Sequence, residues 1–203
     1  KYIRKHGYSR HLYEFKDEYL SMPVDVRKDE NRNLYYVLKE DGKRLYFQRT
    51  TPPHKIQKYY RALMIEQDQR SAHHYFNNNK DVTGKVFVDV GCAEGYSSLE
   101  IIEEAKVTIV QKYVSNRNSP KEQKLDDFFR DKPDEHLFIK MDIEGAERRA
   151  LAGCEQLFRD CKKIDFAICT YHLHDDEEVI SAFLDKHNCT YRNQKGFFRH
   201  KIR

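Results

Sequence analysis

Asp89, Gly91 and Gly95 stand in the stretch "VFVDVGCAEGYSS", residues 86–98, where apolar and β-branched positions run into a carboxylate and then a glycine-bearing turn. A strand, a tight turn and a helix in that order set backbone N–H groups beside a ligand. A nicotinamide site has the closer Gly-x-Gly-x-x-Gly spacing, which braces a pyrophosphate. Here the pattern is Asp89-x-Gly91-x-x-x-Gly95, with an anion two residues before the first glycine. That carboxylate repels a pyrophosphate and suits a cation. S-adenosylmethionine bears an ammonium and a sulfonium and no phosphate. It is the expected cofactor, with Asp89, Gly91, Cys92, Ala93, Glu94, Gly95 and Tyr96 around it. A purely structural strand-to-helix turn and a nucleotide site are the competing readings.

The elements that must position this turn fall into two parts. Residues 1–80 are rich in tyrosine and polar side chains, and form an expected N-terminal extension. Within it, "NLYYVLKEDGKRLYFQR" alternates apolar and polar residues on both sides of Asp41-Gly42, which predicts a β-hairpin. Pro52-Pro53 ends the strand, and Ile56, Tyr59, Tyr60 and Met64 then recur at helical spacing. Residues 81–203 alternate strands and helices, as an α/β sheet does. "KVFVDV", "HLFIKMD" and "KIDFAICTY" read as strands, "AERRALAGCEQLF" as one helix and "DDEEVISAFLDKH" as another.

Composition limits the partners. At 203 residues with 39% hydrophobic and 34% charged side chains, the chain suits one globular domain with a small appendage. No apolar run approaches the ~20 residues that span a bilayer, and no signal peptide is visible, so no membrane partner is expected. A net charge of +4, well mixed along the chain, is too mild to argue for nucleic acid. The five cysteines form no Cys-x-x-Cys pair, and an odd, scattered set suits reduced thiols and a cytoplasmic location.

"FIKMDIEGAERRALAG" resembles the run after the fourth strand of the FkbM-type methyltransferases, a family of class I S-adenosylmethionine enzymes. The resemblance rests on Lys140, Asp142, Glu144, Gly145, Glu147, Leu151 and Gly153, with Asp89, Gly91, Glu94 and Gly95 upstream. "KYVS" before "KLDDFF", the strand "AICTYH" and "IEQDQRSAHHYF" are similar too. The likeness implies a doubly wound, Rossmann-like sheet of seven strands, here with an N-terminal hairpin and helix over the cofactor edge. It implies methylation of a hydroxyl on a sugar, glycan or small natural product.

In such a sheet ligands collect at the C-terminal strand tips. Methyl transfer to a hydroxyl needs positioning and a base. Asp142, at a strand tip, is a candidate for the base, for contact with the cofactor ammonium, or for a helix cap. His172, ending the next strand, is the histidine best placed as a base, and Glu144 is the third catalytic candidate. His172, His174 and Asp142 together would make a metal set, but polar loop tips are the commoner case and no metal is expected. Glu66, with Gln67, Arg70 and His73, would cover the cofactor if that segment folds over the sheet.

Between Ile102 and Val107 there is no room for the family's second strand, its ribose-gripping acid and the following helix. A crossover takes at least ~12 residues. Either a segment between about residues 102 and 107 is left out of the chain as written, or the protein lacks that strand and Val107–Gln111 takes its place. The tail "NQKGFFRHKIR" is short for the closing antiparallel hairpin, which points to a second omission near Lys195–Phe197. Two alternatives therefore stand beside the O-methyltransferase: a methyltransferase-fold scaffold without activity, and a methyltransferase acting on nucleic acid or protein. The absence of an Asn/Asp-Pro-Pro-Tyr/Phe run argues against methylation of base amines.

Overall fold

Strand β1, Val26–Asp29, pairs antiparallel with β2, Leu34–Leu38, and β2 with β3, Arg44–Tyr46. The computed structural model describes residues 13–71, 74–75, 82–101, 108–161, 163–195 and 199–202. The β2–β3 hairpin is the expected one. Its turn closes through Lys39 and Lys43, and Gly42 supplies the left-handed φ of 79° that the turn requires. β1 had no clear alternation in the sequence and adds a third strand. Helix α1, Lys16–Leu20, precedes the sheet, and α2, Pro53–Gln67, follows it with proline in its first turn, where a missing N–H costs nothing. Val24, Val37, Leu45, Phe47, Ile56, Tyr60 and Tyr96 form this unit's core.

The chain divides into two units, Lys1–His74 with Ala93–Glu100, and Tyr75–Cys92 with Ile101–Arg203. The first contains the hairpin, α2 and most of α3, Tyr96–Ile101. The second contains a five-stranded sheet in the order β4-β7-β8-β10-β9. β4 is Val86–Val90, β7 Leu137–Met141 and β8 Ile164–Cys169; these three run parallel, the α/β arrangement expected. β9, Asn193–Lys195, and β10, Arg199–Ile202, add an antiparallel edge, so the short tail does form antiparallel pairs. Of the stretch 195–197, where an omission was expected, residues 196 and 197 lie outside the described residues. Against an expected seven-stranded doubly wound sheet, the described residues give these five strands.

Every side chain of β7 is buried, which is why "LFIKM" shows no apolar–polar alternation and is apolar apart from Lys140. Leu137, Ile139 and Met141 join Leu151, Phe166, Ile168, Ile180 and Leu184 in one core cluster, and Phe138 joins Tyr75, Val82, Ala167 and Cys169 in another.

Two expectations meet a different outcome. The predicted helix over 146–158 is two helices, α5, Glu147–Leu151, and α6, Glu155–Asp160. They part at Gly153, whose backbone lies so near the Ser115 carbonyl that a Cβ there would stand 2.1 Å from its oxygen. Asp126 then accepts the Leu157 N–H and fixes the new helix. Thr108–Gln111 carries no strand, and Ile109 is 88% exposed; the nearest described strand is the short β5, Tyr113–Val114, which pairs with β6, Glu122–Gln123. Residues 102–107, where a missing segment was expected, lie outside the described residues. Helix α4, Leu125–Phe128, follows β6, and α7, Asp176–Lys186, is the second predicted helix with its acidic first turn.

Candidate functional site at the strand tips

Parallel pairing sets Asp89 of β4 directly beside Lys140 of β7. Lys140 Nζ donates to Asp89 Oδ1 at 2.9 Å and to the Gly91 carbonyl at 2.8 Å, and both side chains are buried. The strand-tip carboxylate expected to face a cationic ligand thus already has a cation against it. Lys140 also lies 5.2 Å from the centre of the Tyr75 ring.

Gly91 has a φ of 86°, and a Cβ there would stand 1.9 Å from the Asp142 carbonyl oxygen and 2.7 Å from Ile143 Cγ2. The glycine is required by the chain leaving β7, so a larger residue there would disturb the fold as well as any ligand. Beyond it, Ala93 and Gly95 also take positive φ values, 45° and 76°. Cys92 is exposed and Glu94 half-buried. Within the N-terminal unit, Glu94 accepts the Tyr59 hydroxyl at 2.8 Å, and Tyr96 is core, with Lys39 Nζ 4.3 Å from its ring centre. Glu66 is half-buried near the end of α2, and Arg70 is held by Asp68 and Glu18. His73 lies outside the described residues.

Past β7, the Asp142 N–H donates to the Val90 carbonyl at 3.1 Å, which locks the strand exit to β4. The Tyr75 hydroxyl donates to Asp142 Oδ2 through a short contact. Tyr75 is buried, and burial first, then Cys169 and Asp142, pushes its hydroxyl well above the usual tyrosine range. Two residues on, the chain bends sharply: Glu144 has a φ of 55° and Gly145 one of 95°. Glu147, the first residue of α5, is fully buried and reaches back to accept the N–H groups of Ile143, at 2.8 Å, and Gly145, at 3.0 Å. This carboxylate fixes the loop that carries Asp142 and Glu144.

His172 follows β8 and its side chain is 9% exposed. Nδ1 lies 3.0 Å from Glu147 Oε1, and Nε2 lies 3.5 Å from Asp142 Oδ1 and 3.6 Å from Glu144 Oε2. Neither ring nitrogen meets the alignment of a hydrogen bond. Burial pulls the imidazole down, but the carboxylates of Glu147, Asp142 and Glu144 outweigh it, so its pKa stands above the ordinary value. Burial also raises Glu147, and His172 with the Ile143 N–H reverses this, leaving it below the usual carboxylate range.

The three catalytic candidates therefore meet in one place. Asp142, Glu144 and His172 offer ligand atoms within 4.8 Å of one another. His174 does not join them; it is 96% exposed and faces Asp175. Glu147, His172 and Asp176 form a second close group, but Asp176 is engaged by Arg148 Nε at 2.6 Å. Sequence reasoning missed Tyr75, which has no periodic signal around it. It gave Lys140 no role, although a lysine inside "LFIKM" demands a buried anion, and Asp89 was the nearest candidate on the neighbouring strand.

The family model described as Methyltransferase FkbM domain matches residues 13–192. No curated protein matches the chain, and no solved structure does.

Proposed function

Because this chain belongs to the FkbM methyltransferase family, we propose that it transfers a methyl group from S-adenosylmethionine to a hydroxyl of a sugar, glycan or small natural product. The observation that carries this reading is the meeting of Asp142, Glu144 and His172 beside the Gly91 turn, at the C-terminal tips of parallel strands.

The charge of the tip fits the cofactor. Lys140 offsets Asp89, while Asp142, Glu144 and Glu147 face a single imidazole, so the excess is negative. A ligand with a sulfonium and an ammonium gains from that excess, and a phosphate loses. Asp142 and Glu144, more than Asp89, supply it.

S-adenosylmethionine provides an activated methyl group when bound. The protein's part is to hold the acceptor oxygen in line with that methyl and to take its proton. Glu147 holds the loop, Tyr75 fixes one oxygen of Asp142, and the other oxygen faces His172 Nε2. An acceptor hydroxyl docked against the open side of the Asp142, Glu144 and His172 cluster gives up its proton there, with Glu144 the exposed carboxylate that can pass it to water.

Calorimetry with S-adenosylmethionine, followed by transfer of labelled methyl to a panel of polyols and glycans, tests the reading. One cofactor per chain with micromolar affinity is expected, and Asp142→Asn should lower turnover by ~10² to 10⁴. Absence of cofactor binding would support the scaffold alternative, and transfer to amines alone would refute the hydroxyl acceptor.

A further inference from the structure

We propose that Asp142 Oδ1, Glu144 Oε2 and His172 Nε2 bind one divalent first-row metal ion of the manganese or zinc kind. The imidazole carries the argument. It is more than nine-tenths buried, and its Nε2 has no hydrogen-bond partner. A buried polar atom left in that state costs free energy unless something else satisfies it.

The spacing points to a metal and not to a missed hydrogen bond. Nε2 stands 3.5 and 3.6 Å from two carboxylate oxygens on different residues. Hydrogen bonds between such atoms close to ~2.7–3.2 Å. Two ligands each ~2.1 Å from a common ion at a tetrahedral angle stand ~3.4 Å apart. Both carboxylate oxygens already stand at nearly that separation from Nε2, and all three ligand atoms lie within 4.8 Å of one another.

Each ligand is held by something else. The Tyr75 hydroxyl occupies Asp142 Oδ2 and leaves Oδ1 towards His172. Glu147 Oε1, 3.0 Å from Nδ1, stands on the far side of the ring, where a carboxylate orients a metal-bound histidine and sets its tautomer. Two carboxylates and an imidazole suit a cation that accepts nitrogen as well as oxygen, which disfavours calcium. Three protein ligands leave coordination positions open. The ligand class that completes them is a hydroxyl or a vicinal diol; this last step rests on the hydroxyl-methyltransferase reading, and the metal site itself does not.

The test adds Mn²⁺ or Zn²⁺ to chelator-treated protein without S-adenosylmethionine, so its outcome is separate from that of cofactor binding measured with chelator present. One ion per chain with Kd below ~100 µM is expected. Pulsed electron paramagnetic resonance of the Mn²⁺ complex should show coupling to a ring ¹⁴N, lost in His172→Gln. Glu144→Gln alters an exposed side chain, does not threaten folding, and should weaken binding at least ~10-fold, while His174→Gln should leave it unchanged. No stoichiometric binding, or binding equally strong in Glu144→Gln and His172→Gln, would overturn the proposal.

Discussion

The two ends of β4, β7 and β8 are built from the same residue types and treat them differently. At the N-terminal ends, Lys85, His136 and Asp165 meet: Asp165 Oδ2 accepts from Lys85 Nζ at 2.6 Å and lies 2.8 Å from His136 Nε2. Asp165 and His136 stay partly in water. At the C-terminal ends, Lys140 and Asp89 are sealed from water, and His172 is buried among three carboxylates without a hydrogen bond. A cluster that water and partners satisfy has nothing left to offer a ligand. A cluster with a buried, unsatisfied donor set does, and that difference marks the end where chemistry is expected.

The largest contrast lies in the lysines. Lys140→Met strands a buried Asp89 carboxylate and should cost ~3–5 kcal/mol in urea unfolding. Lys85→Met leaves Asp165 half in solvent and should cost less than ~1 kcal/mol. Equal costs would break the comparison.

The glycines come next. Gly91→Ala forces a Cβ into the Asp142 carbonyl at a φ of 86°, adding overpacking to ~1–3 kcal/mol of backbone strain. Gly84→Ala, before β4, has a φ of 74° and open space around its Cβ, so it should lose only ~1 kcal/mol. Denaturant midpoints of the two variants separate them.

The smallest effect is acid sensitivity at the N-terminal ends. Burial raises the Asp165 carboxyl, and Lys85 and His136 outweigh this, so its folded pKa lies below the ordinary carboxylate value. A lowered pKa stabilises the folded state above the unfolded value, near ~4, and the contribution disappears as pH falls through the folded one. Asp165→Asn should therefore lower stability slightly at neutral pH, where the contribution is full, and flatten the profile below pH ~4, where the native protein loses it as well.

Much of this contrast was legible in the sequence, and the reasons are local. Asp89, Gly91 and Asp142 sit at strand ends marked by apolar runs, and parallel pairing of those strands brings the tips together. The hairpin around Asp41-Gly42 and the helix after Pro53 follow from alternation and proline placement. The break at Gly153 was hidden, because helical spacing on both sides of it is continuous and the cause is the backbone at Ser115, 38 residues earlier in the chain. Glu147 stands in the first turn of α5, where an acid suits the helix dipole, yet its burial against two loop N–H groups and His172 is a tertiary fact. Tyr75 reaches Asp142 across 67 positions, beyond the range of any spacing rule.

The most direct test of the account is an NMR titration of labelled protein with S-adenosylmethionine, read at both strand ends. Resonances of Gly91, residues 142–145 and His172 should shift in proportion to ligand bound, while those of Lys85, His136 and Asp165 stay in place. Shifts concentrated at Lys85, His136 and Asp165, or none at either end up to millimolar ligand, would contradict it.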